Sequence, residues 1–165
     1  MLGNLAPDPA DFYQLDYGYW LTKKDAFIIE AITWKYHAPL AIPYFSSSFG
    51  SDDESYPGYV RAFGVGVGYK RFVWKRLYSS VNATPFLQYF HETGKEKMQK
   101  GFQLFLVLRL GYHLGFFKDR FFFEPSVACN YWPINTNFPR SFEKIESKWS
   151  NYFLFEPGLN FGVKL

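Results

Sequence analysis

Residues 101–116, GFQLFLVLRLGYHLGF, separate by parity into two chemistries. Phe102, Leu104, Leu106, Leu108, Leu110, Tyr112, Leu114 and Phe116 are all apolar or aromatic, whereas Gln103, Phe105, Val107, Arg109, Gly111, His113 and Gly115 are mostly small, polar or charged. Side chains alternate between the two faces of a strand, so this stretch predicts a strand with one wholly apolar face. Residues 152–165 repeat the pattern: Phe153, Phe155, Pro157, Leu159, Phe161, Val163 and Leu165 oppose Tyr152, Leu154, Glu156, Gly158, Asn160, Gly162 and Lys164. It also runs through 121–132, 13–21 and 60–69, where Ala62, Gly64, Gly66 and Gly68 stand against Phe63, Val65, Val67 and Tyr69. A sheet in water turns its apolar face to a core and its charges outward. Here the charged face is also the one thinned by glycine, which fits a sheet surrounded by lipid. The competing reading is a soluble β-sandwich or lipocalin-like barrel whose apolar faces meet in a core.

Strands are expected at 11–21, 26–37, 59–73, 78–91, 101–116, 121–132 and 151–165, seven in all. The connections alternate in length, short at 22–25, 74–77 and 117–120, long at 38–58 and 133–150 and intermediate at 92–100. Outer-membrane barrels alternate short periplasmic turns with longer external loops and carry an even strand number. With the short turns periplasmic, the first strand begins outside, which places an eighth strand before Met1 and makes residues 1–10 the tail of an external loop. The expected fold is therefore all-β: one antiparallel up-and-down transmembrane β-barrel over 1–165, seven strands of eight, lacking its first strand and export signal. The facing of 26–37 is ambiguous, because Glu30 argues for even positions inside while a two-residue turn at Lys23 and Lys24 favours odd ones.

Composition sharpens this picture. The 165 residues include 20 Phe, 13 Tyr and 5 Trp, more than one compact core needs. A lipid-exposed wall with interfacial girdles absorbs such an excess. No stretch approaches the roughly 18 consecutive apolar residues of a spanning helix. A lone Cys129 forms no intramolecular disulfide and belongs to an outward face. Net charge is only +3, with bases gathered in turns such as Lys23-Lys24 and Lys75-Arg76, so nucleic acid is not an expected partner. Met1–Ala10 lacks the charged and apolar regions of a signal peptide.

If the apolar faces look to lipid, the lumen receives Asp16, Glu30, Lys70, Arg109, His113, Glu124, Glu156 and Lys164. An eight-stranded barrel is narrow enough to be filled by its own side chains, so these should form paired networks rather than line a pore. A two-residue turn at Lys118 and Asp119 sets His113 opposite Glu124 and Arg109 opposite Ala128. An enzymatic alternative would use His113, Glu124 and Ser126 to modify lipid, although parity turns all three inward. His37 and His91 show no metal-ligand spacing, and no cofactor or metal is expected. Of the loops, 45–57 carries the acidic run Asp52, Asp53 and Glu54, expected to be solvated, 94–100 is a charged hairpin tip, and 133–148 mixes Pro, Asn, Phe and Lys.

The stretches LDYGYWL (15–21), FEPSVACNYWPINTN (123–137) and NYFLFEPGLNFGVKL (151–165) resemble the small outer-membrane β-barrel proteins of Bacteroidota, eight-stranded barrels of the OmpA/OmpX type. The resemblance implies the bacterial outer membrane as location and its lipid and lipopolysaccharide as surroundings. It also implies recognition by the barrel-assembly machinery through the C-terminal strand, where Leu165 stands in place of the usual aromatic. It carries no assigned chemistry. The expected function is structural or surface-interacting, with a lipid-modifying enzyme and a soluble carrier of an apolar ligand as alternatives.

Overall fold

The computed structural model describes residues 12–43, 45–94 and 99–164. Its strands are β1 (Phe12–Trp20), β2 (Asp25–Tyr36), β3 (Gly58–Trp74), β4 (Leu77–Glu92), β5 (Gln99–Tyr112), β6 (Leu114–Phe116), β7 (Phe121–Asn135) and β8 (Tyr152–Val163). They form one antiparallel sheet. β6 continues the line of β5 past a break at His113, so the strands occupy seven positions, each beside its neighbour in sequence. The residues expected to be a loop tail at 1–10, the terminal Leu165 and positions 95–98 of the charged tip lie outside the described residues.

The sheet is strongly curled. Trp34 of β2 meets Phe105 of β5 with ring centroids 5.3 Å apart, and Lys70 of β3 reaches Glu124 of β7. Side chains three strand positions apart touch only when the sheet bends around them. β1 and β8 are its two edges, and no ladder joins them among the described residues.

The apolar set lies on the convex face. Leu108 is 58 % exposed, Phe155 74 % and Phe161 75 %, while the concave face buries Glu30, Gln88, Gln103, His113 and Glu124. The ambiguity in β2 is settled by its turn. Trp20 pairs with Ala26, and the Leu21 N–H bonds the Asp25 carbonyl at 2.9 Å, leaving the loop 21–25 between them. An odd number of loop residues keeps even positions of both strands on the concave side, so Asp16 and Glu30 are register partners on that face.

Two expectations are corrected. In β8, Glu156 pairs with Ala128 but Phe153 pairs with Asn130, so Leu154 and Phe155 make a bulge at which Phe155 takes φ +64°. A bulge resets alternation. Phe153 therefore turns inward against the aromatic core, and Tyr152 and Leu154 turn outward, the reverse of the expected facing. The connection after residue 132 is also not a plain loop: β7 runs on to Asn135, and a short helix, α1 (Arg140–Glu146), follows. Phe142, Ile145 and Trp149 recur at helical spacing and pack on the core, with Phe142 wholly buried. Pro139 sits at the helix N-cap and its carbonyl accepts from Phe142 and Glu143.

Candidate functional site

The concave interior divides into two halves. Toward the long loops it is aromatic. Trp34 lies flat on Phe86 at 5.1 Å, Phe105 stands edge-on to Trp34 and stacks on Trp132 at 5.6 Å, and Phe90 meets Phe138 at 4.9 Å. Gln88 contributes the Nε2 hydrogen bond that satisfies the buried Tyr36 hydroxyl at 2.9 Å. Above these rings the two long loops lock together. The Tyr56 hydroxyl donates to Glu146, and its ring lies 4.8 Å from that of Phe142. Trp149 Nε1 and Lys148 Nζ donate to Glu54 at 3.0 and 3.2 Å. The acidic run is thus not simply solvated: it forms a 3-10 turn whose last member ties one loop to the other. The Trp149 hydrogen bond, with Lys148 beside it, holds Glu54 below the ordinary carboxylate range, whereas burial pushes Glu146 above it against the opposing pull of Tyr56.

Toward the tight turns the interior is polar. Glu124 receives both Lys70 Nζ and His113 Nδ1, the latter at 2.8 Å, and Lys70 also sits 3.9 Å from the centre of the Tyr78 ring. Glu30 accepts from Asn82 Nδ2 at 2.8 Å and from the Thr84 hydroxyl. Arg109, register partner of Ala128, donates to Ser126 Oγ at 2.8 Å, and Asn130 Nδ2 donates to Glu156 at 2.5 Å. Glycines make the room. A Cβ on Gly66 would sit 2.8 Å from Glu30 Oε1, and one on Gly158 would overlap the Arg109 guanidinium.

Of the eight expected lumen residues, six converge in this polar half, and two sit at its margin. Asp16 faces the trough from the edge strand and accepts from Gln14 Nε2 at 3.0 Å. Lys164 approaches Asp119 at 3.7 Å in the turn before β7 and lies 5.4 Å from the Trp20 ring. Asn82 and Thr84 join the network beyond the expected set, and the even positions of SSVNAT (79–84) carry polar side chains on the same parity as the charges. Between β1 and β8 the interior opens as a trough of about 1560 Å³ that reaches Glu30, Lys70, Arg109 and Glu156.

Among the described residues, His113, Glu124 and Ser126 do not form one hydrogen-bonded line. Ser126 is engaged by Arg109 rather than by His113, and His113 Nε2 faces the rings of Phe72 and Phe122 with no hydrogen-bond partner among the described residues. His37 lies against the Gly58 carbonyl at 3.2 Å and His91 stacks on Tyr59, so each histidine belongs to the wall. Among the described residues no cluster of three His, Cys, Asp or Glu side chains could hold a metal ion, and no helix is long and apolar enough to cross a membrane, which says nothing of strands. No family model, no curated protein and no solved structure matches this chain.

Proposed function

We propose that this protein is a bacterial outer-membrane β-barrel whose lumen is filled by its own side chains and whose role is structural or surface-interacting. The observation that carries the proposal is the facing. Strand after strand presents Tyr, Phe, Leu and Val to its surroundings, while Glu30, Lys70, Glu124 and Arg109 are turned into the sheet's own concavity. In water this arrangement would expose a large contiguous apolar wall. In a bilayer the wall is matched by acyl chains, and inside it Glu30, Lys70, Glu124, Arg109 and Glu156 each have a polar partner.

The barrel has eight strands. Among the described residues, seven antiparallel positions leave the two edges running in the same direction, so one further strand in the seam would be antiparallel to both and give the even strand number of an outer-membrane barrel. Lipid and lipopolysaccharide then surround the wall, and β8 serves as the strand presented to the assembly machinery. The carrier alternative is disfavoured because an apolar ligand would need the oily face turned inward. The lipid-modifying alternative is disfavoured because Ser126 is bound to Arg109.

Refolding the full chain into detergent or thin lipid vesicles tests this. The expected result is β-sheet circular dichroism, a heat-modifiable band on electrophoresis and protease protection in vesicles. A protein that is monomeric and folded without detergent, and that does not partition into vesicles, would overturn it. Within the refolded protein, Leu108→Arg should cost roughly 2–4 kcal/mol if Leu108 sits near the bilayer midplane.

A further inference from the structure

The seam between β1 and β8 is flanked by charge that the sheet does not balance. Among the described residues no ladder takes the outer side of either strand, and the two run in the same direction. The trough between them is lined by Asp16 of β1 and Glu156 of β8, with Glu30, Arg109 and Asn130 on the strands behind. Four carboxylates belong to the concave face, Asp16, Glu30, Glu124 and Glu156. Among the described residues only Glu124 has a cation within ion-pair distance.

The other three are not equivalent. Glu30 is buried and holds two donors, Asn82 and Thr84, while Asp16 is exposed at the edge and holds Gln14. Glu156 has one donor, Asn130 Nδ2 at 2.5 Å. The other end of that amide, Asn130 Oδ1, has no hydrogen-bond partner among the described residues, although Asn130 is only 5 % exposed. The carboxylate fixes the amide's direction, since a flipped Asn130 would set oxygen against oxygen. Of the trough-lining atoms without a partner, Trp34 Nε1 donates, and the Thr33 and Tyr78 hydroxyls and His113 Nε2 change role with their proton. Asn130 Oδ1 alone among them accepts and never donates. Arg109 does not serve it: the guanidinium is turned to Ser126 Oγ at 2.8 Å and lies over Gly158. The corner formed by Asn130 and Glu156 lacks a donor that carries positive charge.

We infer that the seam receives an amphipathic β-strand whose lumen face carries a lysine, and that the lysine ammonium is held by the Glu156 carboxylate and Asn130 Oδ1. The inference deepens the eight-stranded reading and rests on it. A strand beside β8 aims every second side chain into the trough, and an ammonium brings three donors and no acceptor to a corner that has only acceptors to offer. A free amine would supply the charge and leave both edges without a ladder. A second copy inserted the same way up would bring its β1 beside β8 in the same direction, against the antiparallel order of the sheet.

The test supplies strands in trans to the full chain during refolding into detergent micelles, with folding verified by heat-modifiable mobility. Synthetic peptides of about eleven residues, long enough to cross a bilayer as a strand, alternate leucine with threonine and carry lysine, glutamine or glutamate at the central threonine position. A fourth peptide moves the lysine onto the leucine face. The peptides compete in equal amounts, and native mass spectrometry counts the complexes. The expected result is one strand per chain, with the inward lysine retained over glutamine by about tenfold, glutamate retained least and the outward lysine not preferred. Glu156→Gln should remove most of that preference, whereas Asp16→Asn, which changes net charge equally, should keep it. Equal retention of lysine and glutamine by folded wild type, or a preference undiminished in Glu156→Gln, overturns the ammonium site while leaving the barrel standing. An equal loss in Asp16→Asn overturns its assignment to this corner. Folded chains that take no peptide, or that pair as dimers instead, overturn the strand as the occupant. A chain that fails to fold in micelles with any of the peptides strikes the barrel reading itself.

Discussion

The two halves of the concave interior fill the same kind of space by different means. The loop-side half is packed with rings, Trp34, Phe86, Phe105 and Trp132, whose partners are interchangeable in chemistry but not in shape. The turn-side half is filled by groups that tolerate burial only while each has its named partner: Glu124 with Lys70 and His113, Glu30 with Asn82 and Thr84, Arg109 with Ser126. One half is held by volume and the other by pairing. Burying an unpaired charge costs more than burying an ill-fitting ring, so the polar half is the more exacting in residue identity and the aromatic half in residue size.

The sharpest break on the aromatic side is Trp132→Ala, which removes a wholly buried ring stacked on Phe105 and should cost roughly 3–5 kcal/mol in denaturant unfolding of the refolded protein. On the polar side, Glu124→Ala strands Lys70 and His113 together and should cost about 3 kcal/mol or more. The comparison is decided by the double variant Lys70→Met/Glu124→Leu. Volume packing would make its losses additive, whereas pairing predicts that the double variant is more stable than Glu124→Ala, since the stranded ammonium is gone. Gly66→Ala probes the boundary condition of the polar half, because its new methyl would meet the Thr84 hydroxyl, the Glu30 carboxylate and the Ala83 backbone carbonyl together. A loss of about 1–3 kcal/mol is expected, and a neutral outcome would show that both these side chains and the β4 backbone can give way.

The smallest effect belongs to the loop cap. Burial raises the Glu146 carboxyl above its unfolded value, so the capped state binds more protons than the open one between those two values. Its contribution is full below the ordinary carboxylate range and is lost as pH rises through the folded value. Hydrogen exchange across 139–149 should therefore show weaker protection at neutral pH than at mild acidity, and Glu146→Gln should flatten that dependence. Unchanged pH dependence in the variant would assign the effect to another group.

The parity of each strand was legible because a period of two leaves no intermediate choice: if Leu108 faces out, Arg109 faces in, and the glycines of 64–68 mark the face that must accept long side chains. Phe153 departs from the strand's parity because parity is carried along a strand only while the ladder is regular, and the Leu154–Phe155 bulge is made by a non-glycine residue at positive φ that no local composition announces. Helix α1 left a signal, the spacing of Phe142, Ile145 and Trp149 behind Pro139, but seven residues of helix are set by the core they cover rather than by their own propensity.

What the chain's order of residues determined by itself is which side chains share a face, since alternation and up-and-down connectivity are local properties. Which members of that face become partners was decided only by curvature. Lys70 and Glu124 stand 54 positions apart and three strand positions apart. The same curl joined Glu54 to Trp149 across two loops and left Lys164 with Asp119 rather than in the central network. The physical reason is reach: a side chain bonds what lies within a few ångströms, and the bend of the sheet, not the spacing along the chain, sets that distance.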